Sequence, residues 1–278
     1  MYKVLTIAGS DSCCGAGIQA DLKTINAFGA YGLCAVTAVT AQNTLEVSSI
    51  FEVPAEFVGQ QMDMVLADIG ADSVKTGMLA NEEIVEVVCD RVRRHNLKKL
   101  VVDPIVKSHR GSFLLSPDGI RQLRLSLIPL AYLVMPNITE AEILADMKIR
   151  NFSDMKDAAE SIYELGVKNV LIKGGHAIDC GIDGGEFFSK SEIIDVLYDG
   201  KSFQCFKAER IETENVHGTG CVYSAAIAAG LAKGYNLTGS VTKAKGFVSK
   251  MIKESLKLGS GYKLITVPQP GRTRTKKE

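Results

Sequence analysis

Short apolar, β-branched runs alternate along this chain with stretches whose apolar positions recur every three or four residues. Val4–Ala8 is a continuous apolar run ending at Gly9, the pattern of a strand buried on both faces. Ile18, Leu22, Ile25 and Phe28 then follow at helical spacing until Gly29 and Gly32 stop the helix. Leu33–Thr40 reads as the second strand and Val47–Val53 as a short extended piece. Pro54 suits the first turn of a helix carrying Phe57, Val58, Met62 and Val65. Asn81 caps a further helix, with Glu82 and Glu83 in its first turn and Ile84, Val87, Val88 and Val92 inward. Lys99–Val102, Tyr132–Val134 and Val170–Ile172 predict more buried strands, each with Pro or Gly close behind.

The pattern changes between Glu186 and Lys207, where Asp199-Gly200 separates two extended runs. That dipeptide is a strong hairpin signal, so an antiparallel edge is expected there. Helices are expected near Cys221–Lys233 and Thr238–Leu258. Repeated β-α alternation predicts an α/β fold with a mostly parallel central sheet and helices on both faces. Ligands in such sheets bind beyond the carboxyl ends of the strands. Neither a repeat nor a linker divides the chain, so one domain over 1–265 is expected, followed by a flexible basic tail at 266–278.

Composition narrows the function classes. Hydrophobic residues make up 46% of 278, which excludes wholesale disorder. Lysine plus arginine equals aspartate plus glutamate at 32 each, so no global field recruits nucleic acid or an anionic membrane. Seven cysteines at irregular spacing argue against a disulfide framework and for a reducing compartment. No apolar run approaches the roughly 20 residues that span a bilayer. The first residues read as a strand entering a turn rather than a signal peptide, so a cytoplasmic location is expected.

The most informative motif is His217-Gly218-Thr219-Gly220-Cys221, which opens into a long run of small residues. The first amides of a helix lack backbone partners and carry partial positive charge. Glycines on both sides of Thr219 let a phosphate approach them, which makes the segment an anion cradle. Cys221 at its mouth reads either as a buried small residue or as a thiol whose pKa the helix field lowers. Gly15-Ala-Gly17-Ile-Gln-Ala20 is a loose dinucleotide fingerprint. Gly15 stands seven residues past the strand end, and Leu33–Thr40 carries no acid for a ribose, so the match is weak. No G-x-x-x-x-G-K-[ST] run occurs, which excludes a P-loop kinase.

Other polar residues fall just after strands. Asp11 and Asp21 flank the first loop; Gln42 and Asn43, Lys75–Met78, Asp103-Pro104, Asn137–Glu140 and Lys173–His176 follow later strands. Singly, Gln42 is equally a structural amide, Asp103 a turn cap, Glu140 a first-turn carboxylate and Met78 a core residue. His217 and His176 read as structural, with no acid partner near them in sequence.

Together these segments closely resemble the hydroxymethylpyrimidine/phosphomethylpyrimidine kinases of thiamin biosynthesis, in the ribokinase-like superfamily. The resemblance runs from about Lys3 to Gly261 and rests on Thr6–Asp11, Gly15–Thr24, Thr40–Thr44, Lys75–Leu79, Asp103-Pro104, Pro136-Asn137 with Glu140–Glu142, Lys173–His176 and His217–Cys221. It implies a ribokinase-like three-layer fold and phosphorylation of 4-amino-5-hydroxymethyl-2-methylpyrimidine and its monophosphate by ATP with Mg²⁺. Gln42 would bond the aminopyrimidine, with Asp21, Met78 and Ile105 completing the pocket. Gly218, Thr219 and Gly220 would form the anion hole, and Cys221 would take the base position that many relatives give to Asp. Asn137 and Glu140 match the N-x-x-E element that acts through Mg²⁺, with Asp103 beside them. Lys173 and Lys245 would lie on the nucleotide side, and a homodimer is expected.

Two departures stand out. Cys14 replaces a glycine that relatives usually carry, and His109–Ser112 stands where they show a Lys-Ser-Gly-Asp-like stretch. The rival readings are a pyridoxal or pyridoxamine kinase on the same fold and a non-catalytic pyrimidine-binding regulatory protein.

Overall fold

The computed structural model describes residues 1–107, 113–175, 191–213 and 216–267. The chain starts with β1 (Lys3–Asp11), α1 (Gly17–Ala27) and β2 (Tyr31–Gln42), after which β3 (Val47–Glu52) doubles back antiparallel along β2. Past α2 (Ala55–Asp68), the path crosses over so that β4 (Ser73–Thr76) lies on the other side of β1. α3 (Glu82–Arg94), β5 (Leu100–Val102), α4 (Pro117–Gln122), β6 (Leu133–Val134), α5 (Ile138–Ala145), α6 (Phe152–Tyr163) and β7 (Val170–Ile172) continue outward. β8 (Glu192–Tyr198) and β9 (Phe203–Glu209) close that edge antiparallel. The resulting nine-stranded sheet has the order β3-β2-β1-β4-β5-β6-β7-β8-β9. β10 (Val216–His217), α7 (Thr219–Ala232), α8 (Leu237–Lys253) and β11 (Lys263–Leu264) complete the described chain.

Strand direction explains the two-sided burial. Along β5, Leu100 and Val102 join a core with α2, α3, α5 and α6, whereas Val101 joins a second core with α7 and α8. Every residue of α7 from Cys221 to Ala232 is buried. Its alanines and glycine let it lie close to the sheet on one side and to α1 and α8 on the other. A helix apolar all round is the form expected for one enclosed on every face.

The expected edge hairpin is present. Asp199 Oδ1 accepts from the amides of Lys201 and Ser202 at 2.9 and 2.8 Å, and Gly200 takes φ +84°. The Asn81 side chain caps α3 by accepting from the Ile84 amide at 2.9 Å. The last helix is shorter than expected: α8 ends at Lys253, and Leu256 instead bridges to Leu264. α4 and α6 were not anticipated, although Ser116-Pro117 and Asn151 stand at their starts. His176, the 109–112 loop and residues 268–278 of the tail lie outside the described residues.

Candidate active site

The reversal of strand order between β1 and β4 opens a crevice at their carboxyl ends, where ligands of open α/β sheets bind. A cavity of about 810 Å³ occupies it, within the usual range for a small-molecule site. Gln42, Met78, Ile105, Asp103, Asn137, Glu140, Lys173, Lys245 and the whole Gly218–Cys221 turn line this one space. Residues from seven separate parts of the sequence thus meet in one cavity.

Asp21 does not line it. Its carboxylate lies beneath the floor, wholly buried, accepting from Thr6 Oγ1 at 2.6 Å and Lys75 Nζ at 2.8 Å. The expectation that Asp21 completes the pocket is therefore corrected: a fully buried carboxylate needs a counter-charge, and Lys75 supplies it. Lys75 itself does reach the cavity wall.

The anion turn is built by close backbone packing. Gly218 caps α7 at φ +91°, and a Cβ there would overlap the carbonyl oxygen of Gly15. Only glycine meets both demands. A Cβ on Gly220 would stand 3.6 Å from both Lys173 Nζ and Asp103 Oδ2, so the turn opens directly over that ion pair.

Cys221 lies at the start of α7 with 7% of its surface exposed. Burial pushes its thiol up to about 11, with the charges of Asp21 and Asp103 adding to the rise while Lys75 opposes it. The expectation of a lowered thiol pKa is overturned. Loss of water outweighs the helix-end field and the nearby ammonium.

Asp103 Oδ1 accepts from Lys173 Nζ at 2.7 Å, and Asp103 Oδ2 accepts from Ser224 Oγ at 3.0 Å. Asn137 and Glu140 form a capping box on α5: each side chain accepts from the other's amide, at 2.9 and 2.8 Å. The N-x-x-E pair thus has a structural task that holds its carboxylate in place. Burial raises the Glu140 carboxyl to about 7, and the charge of Asp103 adds to the rise against the pull of Lys173. Two buried carboxyl groups, Asp103 and Glu140, thus flank the Lys173 ammonium. Oxygen donors of this kind suit Mg²⁺, which keeps waters and shares its shell with phosphates. The group Asp11, Cys13 and His217, with ligand atoms within 4.8 Å of one another, includes a thiol and does not suit that ion.

Several site residues were missed from sequence. Asp195 accepts from Lys245 Nζ at 2.7 Å, Tyr223 Oη at 2.9 Å and the Gly174 amide at 3.0 Å. An acid inside the apolar run Ile193-Ile-Asp-Val-Leu197 was the available signal. Arg210 also reaches the cavity, donating from Nη1 to Gly175 O at 3.3 Å, while its buried Nε has no partner among the described residues. His217 does have an acid partner: its Nε2 lies 3.1 Å from Asp11 Oδ2, which corrects the reading made from local sequence. Cys14, the other departure, takes φ +60°, the conformation its usual glycine would occupy freely.

Comparison with known proteins converges on one family. The phosphomethylpyrimidine kinase family model matches residues 11–266. The hydroxymethylpyrimidine/phosphomethylpyrimidine kinase of Aquifex aeolicus is 41% identical over 261 residues, 94% of this chain and 98% of that one. The Bacillus subtilis protein of the same name is 40% identical over 262 residues, 94% and 93% respectively. The crystal structure of phosphomethylpyrimidine kinase from Clostridium difficile superposes with a TM-score of 0.78 at 40% identity, covering 91% of this chain and 100% of that one. An ADP complex of Bacillus subtilis pyridoxal kinase gives 0.84 at 35% identity, covering 96% and 97%. With the ribokinase-like layers, the anion turn and the Gln42–Met78 wall in one cavity, this chain belongs to the phosphomethylpyrimidine kinase family.

Proposed function

We propose that the chain phosphorylates 4-amino-5-hydroxymethyl-2-methylpyrimidine and then its monophosphate, taking the phosphoryl group from ATP with Mg²⁺. One observation carries this reading: Gln42 and Met78 share a single cavity with the Gly218–Gly220 anion turn and Cys221. A flat amino-bearing ring suits a carboxamide, which donates and accepts at once. Transfer itself is mostly alignment and charge neutralisation.

Gln42, Met78 and Ile105 hold the ring, and the amides of Gly218–Gly220 meet the charge on the transferred group. Asp103, Glu140 and Asn137 would hold Mg²⁺, which neutralises and orients phosphate oxygens when bound. Lys173, braced on Asp103, and Lys245, braced on Asp195, present fixed cations to the nucleotide. The acceptor oxygen bonds to the γ-phosphorus as that atom's bond to the bridging oxygen breaks and ADP leaves. The hydroxymethyl proton passes to Cys221 in its thiolate form. The monophosphate acceptor is already anionic and needs no such transfer.

The chain acts, in this reading, as a cytoplasmic enzyme that engages no nucleic acid. It pairs as a homodimer through the exposed apolar pair Val39 and Phe51, which lie opposite each other on one face of β2 and β3. A sedimentation equilibrium run yielding twice the chain mass supports the dimer. The activity test is ADP release with the alcohol, the monophosphate and pyridoxal as separate acceptors. Turnover of both pyrimidines above pyridoxal supports the proposal. Turnover of pyridoxal alone supports the second reading, which the TM-score of 0.84 to a pyridoxal kinase favours. Pyrimidine binding without turnover supports a regulatory binding protein.

A further inference from the structure

The carboxamide of Gln42 sits between two polar neighbours whose protons are already committed. On one side its Nε2 position lies 2.9 Å from His217 Nε2. On the other its Oε1 position lies 3.2 Å from Thr40 Oγ1. A half-turn of the amide exchanges these two atoms without moving anything else, so hydrogen-bond accounting decides between the orientations.

His217 Nε2 also lies 3.1 Å from Asp11 Oδ2. That carboxylate can only accept, and it accepts as well from the amides of Gly15 and Ala16 at 3.0 and 2.8 Å. Although burial opposes it, bonds from His217 and Cys13 hold the Asp11 carboxyl down to about 2. His217 Nε2 therefore carries a hydrogen. An N–H at this position cannot accept from an amide NH₂, and a bare nitrogen would set its lone pair against the carboxylate. The Thr40 hydroxyl has one hydrogen, and Ser10 O, at 3.1 Å, takes it. Its oxygen is left to accept, not to donate to Gln42. Both neighbours demand the same orientation: amide oxygen toward His217, amide nitrogen toward Thr40.

We infer that His217 is a positioning residue that fixes the donor–acceptor polarity of Gln42, with the carbonyl on the His217 side and the NH₂ on the Thr40 side. The inference rests on the proposed role of Gln42 as the ring contact. One amide hydrogen and one oxygen lone pair remain for the ligand. They match a ring edge with an acceptor nitrogen on the Thr40 side and an amino donor on the His217 side. Asp11 makes the bias one-way, because it holds the His217 hydrogen in place whether the ring is neutral or charged.

The first experiment needs no catalysis. Long-range ¹⁵N–¹H correlation on histidine-labelled protein, which has four histidines to assign, should show a hydrogen on His217 Nε2. A bare Nε2 overturns the inference, whatever the enzyme acts on. The second measures kinetics of His217→Leu and His217→Gln. Loss of the ring N–H in His217→Leu should raise KM for the aminopyrimidine about tenfold, leaving kcat and the KM for ATP within about threefold. His217→Gln, which can still donate, should recover most of that loss. Equal effects of the two variants, or a fall in kcat with unchanged KM, would show a merely structural histidine. Should the acceptor prove not to be a pyrimidine, the tautomer still decides the orientation of Gln42.

Discussion

Lys75 Nζ lies 2.8 Å from Asp21 Oδ2, and neither side chain is exposed at all. Lys75 reaches the cavity wall, whereas Asp21 does not. Asp21 raises Lys75 against the effect of burial, so the lysine stays charged at any working pH. Removing one partner strands a buried charge, which typically costs about 3–5 kcal/mol. Lys75→Met should therefore lower the midpoint of urea unfolding sharply. Lys75→Met combined with Asp21→Leu should recover part of it, as measured by a double-mutant cycle. Additive losses would argue against the pairing.

The high thiol pKa of Cys221 predicts a pH signature. Thiolate is scarce at neutral pH when the thiol stands near 11, and its share rises tenfold per pH unit below that value. Phosphorylation of the alcohol should accelerate across pH 7 to 9 with a logarithmic slope approaching one. Phosphorylation of the monophosphate should stay nearly flat over the same span. Cys221→Ser should slow the alcohol step by about two to four decades and flatten its profile. Iodoacetamide should modify exposed Cys14 and Cys205 well before buried Cys221, as peptide mass mapping would show.

Glu140 gives the opposite kind of test. Its carboxyl is raised to about 7, against about 4.3 unfolded, so its stabilising contribution is complete below 4 and is lost as pH rises through 7. In the free chain, the melting temperature of wild type should fall from pH 6 to 8 more than that of Glu140→Gln. A divalent cation needs the ionised form. Calorimetric affinity for Mg²⁺–ATP should therefore tighten as pH rises through 7, and that dependence should vanish in Glu140→Gln.

Cys14 carries a penalty that a single change can remove. At φ +60° a side chain is strained, and this one is exposed, so little packing is lost with it. Cys14→Gly should change stability by under about 1 kcal/mol in either direction if loop entropy cancels the strain, and stabilise by about 1 kcal/mol if strain dominates. We expect the second, read as a higher denaturation midpoint with an unchanged m-value.

Local pattern served the inner strands well because they are short, apolar and followed by a breaker; Leu100–Val102 and Val170–Ile172 fell within a residue of expectation. Asp199-Gly200 located its hairpin because the turn chemistry is contained in two residues. Pairings across the fold were another matter. His217 and Asp11 are 206 positions apart, and no local window shows a histidine its acid. Of the two readings of Cys221, the buried small residue agrees with the structure and the lowered thiol pKa does not, because the field of its own helix start is local, whereas the walls that dry it come from elsewhere. Asp21 looked like a pocket residue beside the first loop, yet its place was settled by a lysine 54 positions later.

The small parallel pairing of β10 with β11 sets Val216 against Lys263 and His217 against Leu264, immediately before the anion turn. Leu264 also fills the space beside Gly15 in the first loop. A chain made from its N-terminus therefore forms its sheet long before its site. The earliest loop waits for nearly the last described strand before Leu264 can pack beside Gly15. A chain that stops short of Lys263 holds every residue that lines the cavity but lacks the strand that backs Gly15 and His217.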